Sequence, residues 1–142
     1  MPVYHINKEI IFPHPSLANE DGLLAVGGDL SVERLMLAYS NGIFPWYNDG
    51  EPILWWSPDP RCVLYPEKFK PSKSLRQSIR RENFMFSINQ NFEEVLNNCA
   101  ESKRKVEEGT WISEEMKDAY IKKKKKGYAV SVETWSNGEL GG

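Results

Sequence analysis

The sequence predicts an α+β fold, and three observations lead there. Helical spacing of apolar residues occurs at 31–42, 72–82, 91–99 and 113–126, between short extended or alternating runs that read as strands. The composition over 142 residues, 40% hydrophobic and 27% charged, belongs to a globular chain able to bury a core, which excludes disordered, collagen-like and membrane-embedded classes. Residues 43–60 hold five aromatics and four prolines in eighteen positions, a density that bars a helix and implies two short extended segments around a turn.

The elements follow in order. Val3-Tyr4-His5-Ile6 and Ile10-Ile11-Phe12-Pro13 are extended runs, and Asn19-Glu20-Asp21-Gly22 marks a loop. Leu23-Leu24-Ala25-Val26 leads into Gly27-Gly28-Asp29, a turn that permits positive φ. Ser31 caps a helix that places Val32, Leu35, Met36 and Tyr39 on one face and ends at Gly42. Asn48-Asp49-Gly50 is the turn within the aromatic stretch, and Trp55 and Trp56, amid Ile53 and Leu54, are expected in the core.

Residues 61–65 read as a strand, and Ser72 opens a basic helix with a narrow Leu75 and Ile79 stripe. Residues 84–88 alternate as a strand. Asn91 and Glu94 have capping-box spacing ahead of Phe92, Val95, Leu96 and Cys99. Residues 103–108 form a charged loop. Ser113 caps a helix that turns Met116, Ala119 and Tyr120 inward and ends in the lysine run 122–126. Residues 128–135 alternate as a strand, and Asn137-Gly138 signals a hairpin with a returning strand.

Charge is divided unevenly. Residues 1–60 carry two basic and eight acidic side chains, a net of -6, whereas residues 61–142 carry sixteen and twelve, a net of +4. Such asymmetry favours an anionic partner for the second part. Cys62 and Cys99 have neither CxxC nor Cys/His spacing, so no zinc site or disulfide framework is indicated and both are expected as buried thiols. His5 and His14 lie far from any nucleophile-plus-carboxylate grouping, which argues against a histidine triad. With no signal segment and no apolar run of the roughly 18 residues a spanning helix needs, a cytoplasmic protein without a membrane partner is expected.

Two constellations bear on chemistry. Tyr39, Trp46, Tyr47, Trp55, Trp56 and Trp111 form an aromatic set, of which Trp46 and Trp111 stand at loop apices. An indole held by proline and glycine neighbours suits stacking of a nucleobase, worth about 1–3 kcal/mol per base. Lys73, Arg76 and Arg80 share a helical face beside Arg81, a ladder suited to phosphates. The lysine run covers every face of a helix turn, and a solvated surface accounts for it. Gly27-Gly28-Asp29 lacks both GxGxxG and the P-loop Lys-Ser/Thr, so it is a helix-leading turn and not a phosphate cradle. Composition and spacing reach a nucleotide-stacking, phosphate-tracking surface and stop short of a reaction.

The motifs Gly27-Gly28-Asp29-Leu30-Ser31, Ala38-Tyr39, Gly42-Ile43-Phe44-Pro45-Trp46, Pro52-Ile53-Leu54-Trp55-Trp56-Ser57-Pro58-Asp59-Pro60-Arg61 and Gly109-Thr110-Trp111-Ile112 occur in the order and spacing of one family. Across essentially its whole length the chain resembles the bacterial leucyl/phenylalanyl-tRNA–protein transferases. The resemblance implies a small N-terminal α/β domain, residues 1–60, followed by the first part of an acetyltransferase-like (GNAT-like) mixed-sheet domain, residues 61–142, incomplete at the C-terminus. It implies an aminoacyltransferase that moves Leu or Phe from aminoacyl-tRNA to acceptor proteins with N-terminal Arg or Lys, tagging them for degradation, with no metal and no cofactor.

By the same resemblance Trp46 and Trp111 match the pair that holds the terminal adenosine of the tRNA, with Tyr39 and Tyr120 beside it. Lys73, Arg80 and Arg81 fall on a basic helix that contacts the acceptor stem; Gln77 stands where the family has a further basic residue, and Arg76 lies one position earlier. The catalytic residues are expected beyond Gly142. A non-catalytic tRNA- or RNA-binding module of the same ancestry is the alternative reading.

Overall fold

Three serines set where three of the helices begin. Ser31, Ser72 and Ser113 each accept a hydrogen bond through Oγ from the backbone N–H three residues on, that of Arg34, Leu75 and Met116, at 3.3, 3.2 and 3.2 Å. They open α1 (Val32–Ser40), α2 (Lys73–Arg81) and α4 (Glu114–Lys125). In this computed structural model residues 2–102 and 110–142 are described; the expected charged loop at 103–108 and Gly109 of the Gly109-Thr110-Trp111-Ile112 motif lie outside them.

The first sheet holds β1 (Tyr4–Ile6), β2 (Leu23–Gly27), β3 (Phe44–Pro45) and β4 (Leu54–Trp56) in the order β1-β2-β4-β3. β1 runs parallel to β2, while β4 is antiparallel to both β2 and β3. The proline-rich stretch therefore forms the two extended segments around a turn that its composition implies. Pro45 is buried on the outer strand β3, where a missing N–H disturbs no central ladder. Trp55 is fully buried, donates from Nε1 to the Gly27 carbonyl at 2.9 Å and meets Phe12 edge-on; Trp56 is only half-buried.

β5 (Met85–Ile88), β6 (Val132–Ser136) and β7 (Glu139–Leu140) make a second, antiparallel sheet. Asn137 and Gly138 both take positive φ, 51° and 79°, as the two-residue hairpin signal requires. α3 (Phe92–Glu101) follows β5. The molecule is thus α+β, with two small sheets and four helices among the described residues.

One core dominates. Leu24, Ala25 and Trp55 of the first sheet, Leu35 and Ala38 of α1, and Ile43 between α1 and β3 are joined by Met116 and Ala119 of α4. A helix from the second part of the chain thereby closes the hydrophobic layer of the first. Val63, Leu64, Met85, Phe86, Ile88 and Val132 remain exposed, so residues 61–142 contribute to the core chiefly through α4.

Several sequence expectations are corrected. Residues 61–65 are not a strand: among the described residues no strand pairs with them. The β6 strand begins at Val132 and not at 128. Cys62 and Cys99 are exposed thiols, the first on that segment and the second on α3. The buried face of α1 is Val32, Arg34, Leu35 and Ala38, with Tyr39 turned outward; Arg34 is inside because Asp29 and the carbonyls of Asn7 and Glu9 receive its guanidinium. The capping box at α3 does not form. The Asn91 side-chain amide donates to Glu94, and the Asn91 backbone N–H goes instead to Glu133 Oε1 at 3.1 Å.

Candidate functional site

Trp46 is held by the β3–β4 hairpin. Its N–H donates to the Leu54 carbonyl at 3.0 Å, its own carbonyl accepts from Trp56 Nε1 at 2.7 Å, and buried Pro45 precedes it. With its backbone fixed on both sides, the indole is left 43% exposed. Trp111 is placed by different chemistry: Thr110 Oγ1 accepts from the Ile112 N–H at 3.1 Å, Ile112 is buried, and Ser113 starts α4 directly after.

These two anchors, 65 positions apart in the chain, bring the indoles face to face, with centroids 5.1 Å apart and planes 18° from parallel. Tyr120 of α4 meets Trp111 edge-on at 6.3 Å, and Tyr39 of α1 meets Tyr120 edge-on at 6.5 Å. The Tyr39 and Tyr120 hydroxyls are hydrogen-bonded to one another. All four aromatic residues singled out for the adenosine therefore form one continuous cluster. Burial, and then the hydrogen bond to Tyr39, push the Tyr120 phenol well above its ordinary value, so it stays a neutral phenol at physiological pH.

The cluster is braced from α4. Tyr47, buried next to Trp46, donates to Glu115 Oε2 at 3.1 Å, and burial together with the Glu115 charge pushes its phenol up to about 12. Lys126 Nζ reaches Glu33 on α1 at 3.2 Å. Beneath the rings a cavity of ≈ 430 Å³ runs between α3 and α4 toward β6, lined by Tyr39, Trp111, Tyr120, Lys123, Phe92 and Val132 among others.

Over residues 63–142 the chain matches the family described as leucyl/phenylalanyl-tRNA protein transferase, and over residues 28–59 the N-terminal domain of the same family. The chain belongs to this family. It is 53% identical to the leucyl/phenylalanyl-tRNA–protein transferase of Desulfatibacillum aliphaticivorans, over all of this chain and 61% of that relative. Against the Syntrophus aciditrophicus protein of that name the identity is 53%, over 100% and 60% of the two chains. Against the Flavobacterium johnsoniae protein it is 51%, over 99% and 66%. The chain thus spans about three fifths of the length of the first two relatives.

The basic residues lie elsewhere on the surface. Lys73, Arg76, Arg80 and Arg81 are all exposed on α2, and among the described residues no carboxylate pairs with any of them. Leu75 and Ile79, the narrow apolar stripe of this helix, are 42% and 49% exposed. Arg80 and Arg81 fall in the last turn, where the negative end of the helix dipole favours cations. The Gly27-Gly28-Asp29 turn is structural, as expected: Asp29 Oδ1 accepts from the Ser31 N–H at 3.0 Å and from Arg34 Nε at 3.3 Å.

One residue at the site escaped the sequence reading. Lys123, taken with its neighbours as a solvated face, is buried, with Nζ 3.7 Å from the Tyr39 ring centroid and 5.5 Å from that of Tyr120. Its signal was present in the spacing, since Met116, Tyr120 and Lys123 follow one another at four and three on the inward stripe of α4. Among the described residues no grouping of His, Cys, Asp or Glu could hold a metal ion, and no helix is long and apolar enough to cross a membrane.

Proposed function

We propose that this chain is part of an aminoacyltransferase that moves Leu or Phe from aminoacyl-tRNA to proteins with N-terminal Arg or Lys, marking them for degradation. The observation that carries the reading is the stacked Trp46–Trp111 pair, closed by Tyr120 and Tyr39, in a member of a family named for that activity. The cluster holds the terminal adenosine of the tRNA, and Lys73, Arg76, Arg80 and Arg81 follow the acceptor-stem backbone.

At a centroid separation of 5.1 Å no third ring fits between the indoles. The adenine therefore stacks on the exposed face of Trp46 or parts the pair, and both leave the two tryptophans responsible for affinity. In the reaction the neutral α-amine of the acceptor attacks the aminoacyl ester carbonyl. A C–N bond forms, the ester C–O bond breaks, and the ribose hydroxyl leaves with the proton the amine gives up. An ester is already activated relative to the amide product, so orientation of the two substrates is the main requirement.

We further infer that residues 1–60 are a small N-terminal domain and that residues 61–142 begin an acetyltransferase-like mixed-sheet domain. The antiparallel β5-β6-β7 sheet with α3 and α4 supports that reading.

Binding of Leu-tRNA or Phe-tRNA to this chain, followed by tryptophan fluorescence across a salt series, tests the site. Trp46→Ala and Trp111→Ala should each weaken binding by about 5- to 150-fold, as loss of about 1–3 kcal/mol of base stacking requires. Replacing the four α2 cations by Gln should flatten the dependence of log affinity on log salt. Wild-type affinity in both tryptophan variants would overturn the reading.

A further inference from the structure

Lysines 122–126 close α4, and their surroundings differ. Lys126 pairs with Glu33, Lys124 lies 5.9 Å from the Phe92 ring centroid, and Lys122 is exposed. Lys123 alone is turned inside, 7% exposed, with its ammonium over the faces of Tyr39 and Tyr120. Ring faces attract a cation but do not neutralise it. Among the described residues no carboxylate pairs with Lys123: Glu33 is engaged by Lys126 and Glu115 by Tyr47.

Burial without a counter-charge is costly, and desolvation accordingly lowers the Lys123 pKa. The side chain lines the cavity beneath the cluster together with Tyr39, Trp111 and Tyr120. A single ring, Tyr120, separates the ammonium from Trp111. A nucleoside stacked on the tryptophans carries its 5′-phosphate one sugar away from the base, which is the scale of that separation.

We propose that Lys123 binds the 5′-phosphate of the nucleoside that stacks on Trp46 and Trp111. The assignment rests on the stacking reading above and adds to it a charged contact that the exposed cations of α2 do not make. The anion supplies a counter-charge that no described carboxylate provides, and the aromatic walls keep water from screening the pair.

Tryptophan quenching by adenosine and by 5′-AMP, measured on this chain, separates stacking from phosphate binding. Wild type should bind 5′-AMP about tenfold more tightly than adenosine, the effect of one charge-assisted contact. Lys123→Met should abolish that preference while leaving the affinity for adenosine unchanged; Lys123→Arg and Lys122→Met should retain it. Met keeps the apolar stem and removes a buried ammonium that no described carboxylate pairs, so the variant should fold, and thermal melting checks that. Equal wild-type affinities for the two probes, which involve no variant, would overturn the proposal, as would a preference that persists in folded Lys123→Met. Quenching by neither probe would overturn the stacking reading itself, and the phosphate assignment with it.

Discussion

Glu133 reads in the sequence as one polar position in an alternating run, where a carboxylate ordinarily faces water. In the structure it is buried and accepts hydrogen bonds from Ser131 Oγ at 2.5 Å, Ser87 Oγ at 2.6 Å and the Asn91 N–H at 3.1 Å. Trp135 Nε1 in turn donates to Ser87 Oγ at 2.8 Å. The Ser131 bond, followed by that of Ser87, holds the Glu133 carboxyl below its ordinary 4.5 despite burial. A carboxylate whose pKa is lower in the folded than in the unfolded chain stabilises the fold above 4.5 and loses that contribution as pH falls through the depressed folded value. Glu133→Gln presents a donor where the wild type has only acceptors. It should lower the denaturant midpoint at neutral pH, and the gap to wild type should narrow on acidification below 4.5; urea melts at a series of pH values measure both. A gap that stays constant with pH would remove the charge from the explanation. Nothing in a single sequence announces this role, because only Ser131 is near in the chain and the donors at 87 and 91 arrive through the folded sheet.

At the level of elements, local chemistry was legible wherever a side chain acts on its own neighbourhood. Ser31, Ser72 and Ser113 announce their helices, Asn137-Gly138 announces its hairpin, and the prolines of 43–60 announce a broken, extended stretch. Legibility failed where the partner is distant. The run at 61–65 has strand composition, but a strand exists only by pairing, and none of the described strands pairs with it. Capping-box spacing assigns the Asn91 N–H to Glu94, three residues on in the same helix turn, whereas Glu133 from β6 receives it. Gly27 shows the same dependence at a strand end. It has φ +99°, and a Cβ there would stand 2.8 Å from the Ile6 carbonyl oxygen, against the backbone of β1. Gly27→Ala should cost at least about 1–2 kcal/mol from the left-handed conformation alone. It should also release the parallel β1–β2 pairing and the Gly28 N–H bond to Ile6. Amide hydrogen exchange at Tyr4–Ile6 would report that release, and unchanged protection would show that the edge strand tolerates the added carbon.

Across the whole molecule, the candidate site was legible as a set of residues but not as an arrangement. Trp46, Trp111, Tyr39 and Tyr120 were named from motif positions, and Trp46 and Trp111 also from their loop apices. Their contact depends on how α4 docks against α1, which no local pattern encodes. Lys123 was hidden for the same reason: its burial follows from that docking and not from the charge of its neighbours. Met116, fully buried in the shared core, is the main apolar tie. Met116→Ala should destabilise the chain by about 2–5 kcal/mol. Because α4 carries Tyr120 and Lys123 and follows Trp111, 5′-AMP binding should weaken along with it; unchanged binding in a destabilised variant would mean that the cluster keeps its geometry without the core contact.

The closing of the N-terminal core by α4 also has a consequence in time. A chain emerging from the ribosome completes the first sheet at Trp56 some sixty residues before Met116 and Ala119 arrive to close its core. Tyr47 waits as long for Glu115, and Tyr39 for Tyr120. The stacked aromatic cluster is therefore a late product of synthesis: it cannot assemble in a nascent polypeptide until α4 has cleared the exit tunnel and settled onto α1.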